Sequence, residues 1–466
     1  MADLWRIYNE SEIPADPPVT TPAYYVKKGG NDSLDGLSDA TAWATLAKGV
    51  SVLAPGDTLY VRGGTYLLTS QLSISRSGTA AAPITIAGYP GETAIISGDT
   101  NSNGIPEATD APGSRYSPLV QVTGNYVVLD GLEQCFSGGR GVTLSGSHSE
   151  MKNCHVHDNY GKGIHVLGVY NSVHDCHVHH VSWINSDGSG TLNYSNGIEC
   201  GESSSGNTTS NGSYAEVYNN VVHSCWGEGI ISCHGDYFHF YDNVVYDCWA
   251  CNIDVDQASH GIIERNLVYW TGDASFYRSS GAPGIMLSNE FIVAGMPIAH
   301  SNIVRNNIVV HTSKGVVFWK GQNEANALID TAIYGNTLVN NIVSGIEIQQ
   351  GLFGTIPHSG NRIFDNLITQ SGGTIGTTNT TVGVTFDHNQ WSRTPATIVQ
   401  GAGDVVGAPL LVDANHAVTA DAVLAGYYKL TASSPARGVG IANAGLTEDY
   451  FGTARSDPPD MGAHEY

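Results

Sequence analysis

Asp254 and Asp256, one residue apart in the stretch NIDVD, are the pair whose type and spacing best suit chemistry in this sequence. On an extended strand, residues i and i+2 share a face with Cα atoms about 6.6 Å apart, so each carboxylate makes the other harder to ionise. Such a pair can act as acid and base in glycoside cleavage, because flexible side chains span either the ~5–5.5 Å of a retaining enzyme or the ~6.5–9.5 Å of an inverting one. With Glu199, the pair can instead offer hard oxygen ligands to calcium, which would bridge to an acidic sugar. An exposed acidic run with no role is the plain alternative. Elimination beside a uronic carboxylate would also need a base for the C5 proton and a cation for the enolate. No Lys or Arg occurs between Lys162 and Arg265, so the cation must come from later residues: Arg278 in FYRSSGAP, or Lys320 next to Trp319. His234 is a further candidate base. Glu290, Tyr277 and Trp319 complete the set as substrate contacts, one carboxylate and two aromatic faces.

These residues lie on or near short segments that open with Gly-Ile or similar: GIHVL, GIECG, GIISC, NIDVD, GIMLS, GVVFW and GIEIQ. If the Ile or Val at the second position points inward, alternation sends His165, Glu199, Ile231, Asp254, Met286, Val317 and Glu347 outward in one row. A parallel row is Leu167, Gly201, Cys233, Asp256, Ser288, Trp319 and Gln349. The polar loops around GIECG and GIMLS are expected to stand as walls of a groove near residues 199 to 320.

A second set of segments carries a register mark at its fourth position: Gly131, Cys154, Cys176, Asn220, Asn243, Asn266, Asn307, Asn336 and Asn366. The gaps between them are 23, 22, 44, 23, 23, 41, 29 and 30 residues, with 44 read as two turns of 22. A self-similar period of this size means a solenoid. Parallel coils stack about 4.8 Å apart, which lets each Asn amide hydrogen-bond to the one above and below. Cys154 and Cys176 should stack likewise as reduced thiols, and no paired CxxC zinc pattern is present.

The expected fold is therefore all-β, a single-stranded right-handed parallel β-helix. Residues 1–22 form a Pro-rich lead-in and residues 23–466 the β-helix domain. Within that domain, TAWATLAKGVSVLAPGD has apolar residues at helical spacing and predicts a short capping helix at about 41–54. Coils should then run from about 57 to 400, with a closing segment at about 401–466. The acidic loop NDSLDGLSD departs from EF-hand spacing and is read as a turn.

The opening YYVKKGGNDSLDGLSDATAWATLAKGV…PGDTLYVRGGTY, the coil pattern and the terminal DPPDMGAHEY resemble the pectate-lyase-like superfamily of right-handed parallel β-helix proteins. The superfamily includes pectate and alginate lyases, polysaccharide hydrolases, epimerases, phage tailspikes and non-catalytic adhesins. Its members that use several acidic calcium ligands and a downstream lysine are similar in layout to Glu199, Asp254, Asp256 and Lys320. The hydrolase pattern of a DD pair, a GHG turn and an RIK strand is not found in the central coils.

A formal charge of −23, from 20 Lys and Arg against 43 Asp and Glu, repels nucleic acid. No apolar run is long enough to insert in a membrane. The expected location is extracellular or virion-associated, although no export signal is visible in this chain. The resemblance and the site together imply an enzyme that cleaves a polysaccharide partner, preferably as a lyase. A glycoside hydrolase and a non-catalytic glycan-binding or tail protein are the alternatives. Calcium is the one cofactor expected, with no organic cofactor, and the chain is expected as a monomer or homotrimer.

Overall fold

A computed structural model describes residues 22–188, 195–202, 211–290, 298–319, 326–350, 356–419, 424–441 and 446–466. The chain divides into two compact units, Met1–Gly201 with Asn211–Gly227, and Glu202–Ser210 with Glu228–Tyr466. Each is built of right-handed parallel β-helix coils with three strands per coil, one in each of three parallel sheets.

In the first unit the inward columns are continuous. Leu129, Met151, Val173 and Val217 pair in register on one face, Val120, Val142, Ile164 and Ile198 on the next, and Gln134, Val156, Val178 and Val222 on the third. β-branched side chains pack well on such pleated surfaces, and each full burial is worth roughly 1.5–3 kcal/mol. The direct pairing of Val173 with Val217 corrects the reading of the 44-residue gap as two turns. It is one coil, and in sequence its extra residues fall on either side of the strand Asn196–Gly201.

The capping helix is present but shorter than expected, Leu46–Val52 after a 3-10 turn at Asp39–Thr41. Leu46 and Val50 close the apolar interior above Leu72, Ile74, Ile86 and Ile96. Gly49 is needed at the contact, because a Cβ there would lie 2.7 Å from Leu59 and 2.9 Å from Val26.

The acidic loop before the helix has a structural task. Asp32 accepts hydrogen bonds from the amides of Ala44 and Thr45 and from the Thr45 hydroxyl, at 2.7, 3.0 and 2.7 Å, while Thr45 caps the helix through the Lys48 amide. Burial opposes ionisation of Asp32, but these bonds outweigh it and hold the carboxyl below its ordinary range. Stability from this group is present above the ordinary carboxylate range and is lost as pH falls through the lowered value. Asp32→Ala should therefore cost about 1–2 kcal/mol at neutral pH, and urea titrations should show that cost fading in strong acid.

In the second unit the three inward columns run Phe240–Ile263–Val304–Ile333–Ile363–Phe386, Ile230–Ile253–Ile285–Val316–Ile346 and Val245–Val268–Val309–Leu338–Ile368–Trp391. Between the first and third columns lies the Asn ladder. Asn243, Asn266, Asn307, Asn336 and Asn366 are each bonded through Nδ2 to the next Oδ1 at 2.9–3.0 Å, and Asn389 extends the series. The residue before each of these Asn turns through positive φ, from Asp242 at 55° to Gly335 at 64° and Asp365 at 53°. Asp, Asn and Gly tolerate this region best.

The segment from about 401 onward folds against one sheet of this unit rather than only closing its end. Val418, Tyr428 and Ala463 are buried with Leu267, Tyr269, Ile308, Val310 and Val339.

Candidate functional site

The strands Glu228–Cys233, Cys251–Asp256 and Ile285–Ser288 form one wall of the second unit. Ile230, Ile253 and Ile285 fix their register inward, which aligns Ile231, Asp254 and Met286 on the other face. Cys233, Asp256 and Ser288 align two residues further on. Both expected rows are therefore present here, but not as an exposed acidic ladder: Asp254 is 2% and Asp256 3% exposed.

Burial sets the electrostatics. Asp256 accepts from the Glu290 amide at 2.8 Å, the Ser288 hydroxyl at 3.3 Å and the Cys233 thiol at 3.7 Å. Its carboxyl is raised by desolvation, and these donors and the charge of His234 limit the rise. Asp254 has an Oδ1 with no hydrogen-bond partner among the described residues, and its carboxyl is pushed well above the ordinary range. Desolvation is the first cause, followed by the charges of Glu290, Asp256 and Glu228. Glu290, only half-buried, is pushed up to about 7 by desolvation and Asp256, against the pull of Arg278. All three carboxyls are therefore raised, each by burial first, and Glu290 is brought to about 7.

Arg278 is a cation acting on this cluster. It follows the 3-10 turn Ala274–Phe276, its Nε donates to the Ser280 hydroxyl at 2.5 Å, and its guanidinium lies 5.9 Å from the Trp249 ring centre. Tyr277 is half-buried with its ring 4.3 Å from that of Trp270, and Trp319 is 36% exposed. Both can present an aromatic face. Lys320 lies outside the described residues, as do residues 291–297 and 321–325. His234 is buried at φ 62°, with Nδ1 3.0 Å from the Glu202 carbonyl oxygen and Nε2 3.4 Å from Gln257 Oε1. Those contacts anchor a turn and leave it poorly suited to be a base.

Glu199 belongs to the first unit. It is fully buried, ion-paired with Lys162, bonded to the Asn196 side-chain amide, and aligned with His165, whose Nε2 is 2.8 Å from the Gly201 carbonyl oxygen. Lys162 thus neutralises it locally, which weakens the case for Glu199 as a calcium ligand.

Sequence reasoning passed over two features. Glu228 is a buried fourth carboxylate near Asp254 that no motif marks. The other is a histidine cluster in the first unit, signalled by HVH recurring after 22 residues. His155 aligns with His177, and His157 with His179 and then His223, on the outward face of strands whose Val156, Val178 and Val222 are inward. Burial and neighbouring imidazoles pull His177 down to about 3 and hold His179 and His223 below their ordinary range. Among the described residues, the groups offering three ligating atoms within 4.8 Å of one another are His155–His177–His179 and Glu133–His155–His157. Asp254, Asp256 and Glu290 do not form such a group.

Residues 24–261 match the family described as Pel9A-like, right handed beta helix region. Pectate lyase PEL9 of Emericella nidulans is 39% identical over 95 residues, 20% of this chain and 23% of that one. The curated relatives are matched over only 23% to 31% of their length. Among solved structures, pectate lyase Pel9A aligns with a TM-score of 0.55 and 18% identity over 96% of this chain and 97% of that one. XylC in complex with xylose aligns with a TM-score of 0.56 and 11% identity over 83% and 86%. Likeness at these identities concerns the fold. No described helix is long and apolar enough to cross a membrane.

Proposed function

Because the chain belongs to the Pel9A-like right-handed β-helix family, we propose that it cleaves a polysaccharide, and that it does so as a lyase on a uronate-containing glycan. The observation that carries the site assignment is Glu290, half-buried, poised at about 7, and placed electrostatically between Asp256 and Arg278. A group with this value can hold or take a proton at neutral pH, as general acid–base catalysis requires.

In this reading Arg278 meets the uronate carboxylate and stabilises the charge that develops as the C5 proton leaves. Glu290 takes that proton. The electron pair forms the C4–C5 double bond, the bond from C4 to the glycosidic oxygen breaks, and the leaving oxygen is protonated from water. Asp256 positions Glu290 through its amide and raises its proton affinity, and Asp254 adds to the same low-dielectric field. Tyr277 and Trp319 are the sugar-facing aromatic surfaces.

Calcium, which the family resemblance implies, would supply charge stabilisation at a uronate. The described residues do not fit it: among them Asp254, Asp256 and Glu290 do not bring three ligand atoms together, although the Asp254 Oδ1 finds no hydrogen-bond partner among the described residues.

A second reading is favoured by the same carboxyls. Glu290 as proton donor and Asp256 as the ionised partner would suit a glycoside hydrolase on a neutral glycan. Incubation with a panel of acidic and neutral polysaccharides, in calcium and in chelator, separates the two. Ultraviolet absorbance from unsaturated sugar ends is the expected result. New reducing ends without absorbance would assign the hydrolase, and no product from any polysaccharide would leave a glycan-binding protein.

A further inference from the structure

We propose that His155, His177 and His179 of the first unit form a binding site for a divalent late first-row transition metal, zinc foremost, separate from the carboxylate cluster. The strand His155–Asn159 supplies one imidazole and the strand His177–Val181 two, from positions i and i+2 on the same outward face. Their ligand atoms lie within 4.8 Å of one another. The side chain of His155 is 26% exposed, so the cluster is reachable from solvent.

The contacts are those of nitrogens already gathered. His155 Nε2 is 2.7 Å from His179 Nε2, and His177 Nε2 is 2.8 Å from His223 Nε2. Each such contact can hold one proton, donated by one ring to the lone pair of the other. A metal ion would replace the proton between His155 and His179, and His177 would turn from His223 to complete the three ligands. At zinc–nitrogen distances of about 2.0–2.1 Å in a tetrahedron, two ligands sit roughly 3.3 Å apart, so the 2.7 Å pair opens by roughly 0.6 Å, within reach of side-chain rotation.

The surroundings have the makings of a support shell. Glu133 Oε2 lies 3.8 Å from His155 Nδ1, the nitrogen that would not bind metal, and a carboxylate there orients and strengthens an imidazole ligand. His157, between Asp158 at 2.7 Å and Glu133 at 3.3 Å, fixes that carboxylate in turn. Three protein ligands leave a fourth position for water. Imidazole donors favour zinc, nickel or copper over calcium, whose ligands are oxygens. A bound ion would clamp neighbouring coils together.

The test is titration of the chain, carrying no polyhistidine tag, with zinc chloride in a calorimeter and in a thermal melt. The expected result is one ion per chain, bound at low micromolar concentration or tighter, with a melt that rises by several degrees and falls back on adding chelator. Calcium should produce neither effect. His155→Ala and His179→Ala should each weaken zinc at least about tenfold, while His155→Cys, which keeps a ligand, should retain most of the binding. X-ray absorption at the zinc edge of the unaltered chain should show a shell of imidazole nitrogens, and this reading needs no variant to fold. A shell dominated by sulfur or carboxylate oxygen overturns the assignment. So does the absence of saturable zinc binding, or binding that is unchanged in a His155→Ala/His179→Ala chain with the unaltered circular dichroism spectrum.

Discussion

Glu290→Gln should lower kcat on the polysaccharide cleaved by about 10³-fold with KM little changed, because general acid–base groups commonly contribute 10²–10⁴. Asp256→Asn should act differently. Removing the charge that raises Glu290 moves the Glu290 limb of the pH–rate profile from about 7 to lower pH. In a lyase that limb is the rising one, as Glu290 becomes a base. In a hydrolase it is the falling one, as Glu290 ceases to be an acid. Asp254 is not among the groups that raise Glu290, so Asp254→Asn should leave the limb in place. Kinetics of the three variants between pH 5 and 9 would decide: a Glu290→Gln chain with near-unaltered kcat, or a limb that ignores Asp256, removes Glu290 from the chemistry. The same shift has a cost to the fold. Glu290 rises from 4.5 to about 7 on folding, so the unfolded chain releases that proton first, and the stability linked to it is lost as pH climbs through this interval.

The largest effect expected on stability is at the middle of the Asn ladder. Asn307 is fully buried, donates from Nδ2 to the Ile263 carbonyl and to Asn336 Oδ1 at 2.9 Å each, and accepts at Oδ1 from the Asn266 amide and side chain at 3.0 Å each. Asn307→Ala strands partners on both sides in a dry interior and should cost about 3 kcal/mol or more. Asn307→Asp keeps the shape but loses the donors and buries a charge, so its deficit should be worse at pH 7 than in acid. Asn379→Ala, at an exposed site bonded to Gln350, is the control and should stay within about 0.5 kcal/mol. Urea unfolding of the three chains measures this directly, and an Asn307→Ala chain as stable as the control would mean the ladder is ornamental.

Much of the solenoid could be read because its cause is local and repeated. An Asn every coil is visible as a period, and the Ile and Val beside it alternate with period two, so column and face follow from spacing. The 44-residue gap was misread for the same reason: a multiple of the period looks like two coils, and only the pairing of Val173 with Val217 shows one. The Asp254–Asp256 pair was found because i and i+2 on a strand share a face whatever the fold around them.

What the sequence by itself determined is the coil, its register, the capping helix and which side chains leave each strand on the outer face. Tertiary structure decided what those outer positions experience. Whether an outward carboxylate meets water or protein depends on segments distant in sequence, and that is what turned Asp254 and Asp256 from an exposed pair into a buried one and left Glu290 as the member poised near neutrality. It also gave Glu199 to Lys162 and drew His155, His177 and His179 together across neighbouring strands. Register is a property of spacing along the chain. Ionisation and ligation depend on distances and dielectric between residues that only folding brings close.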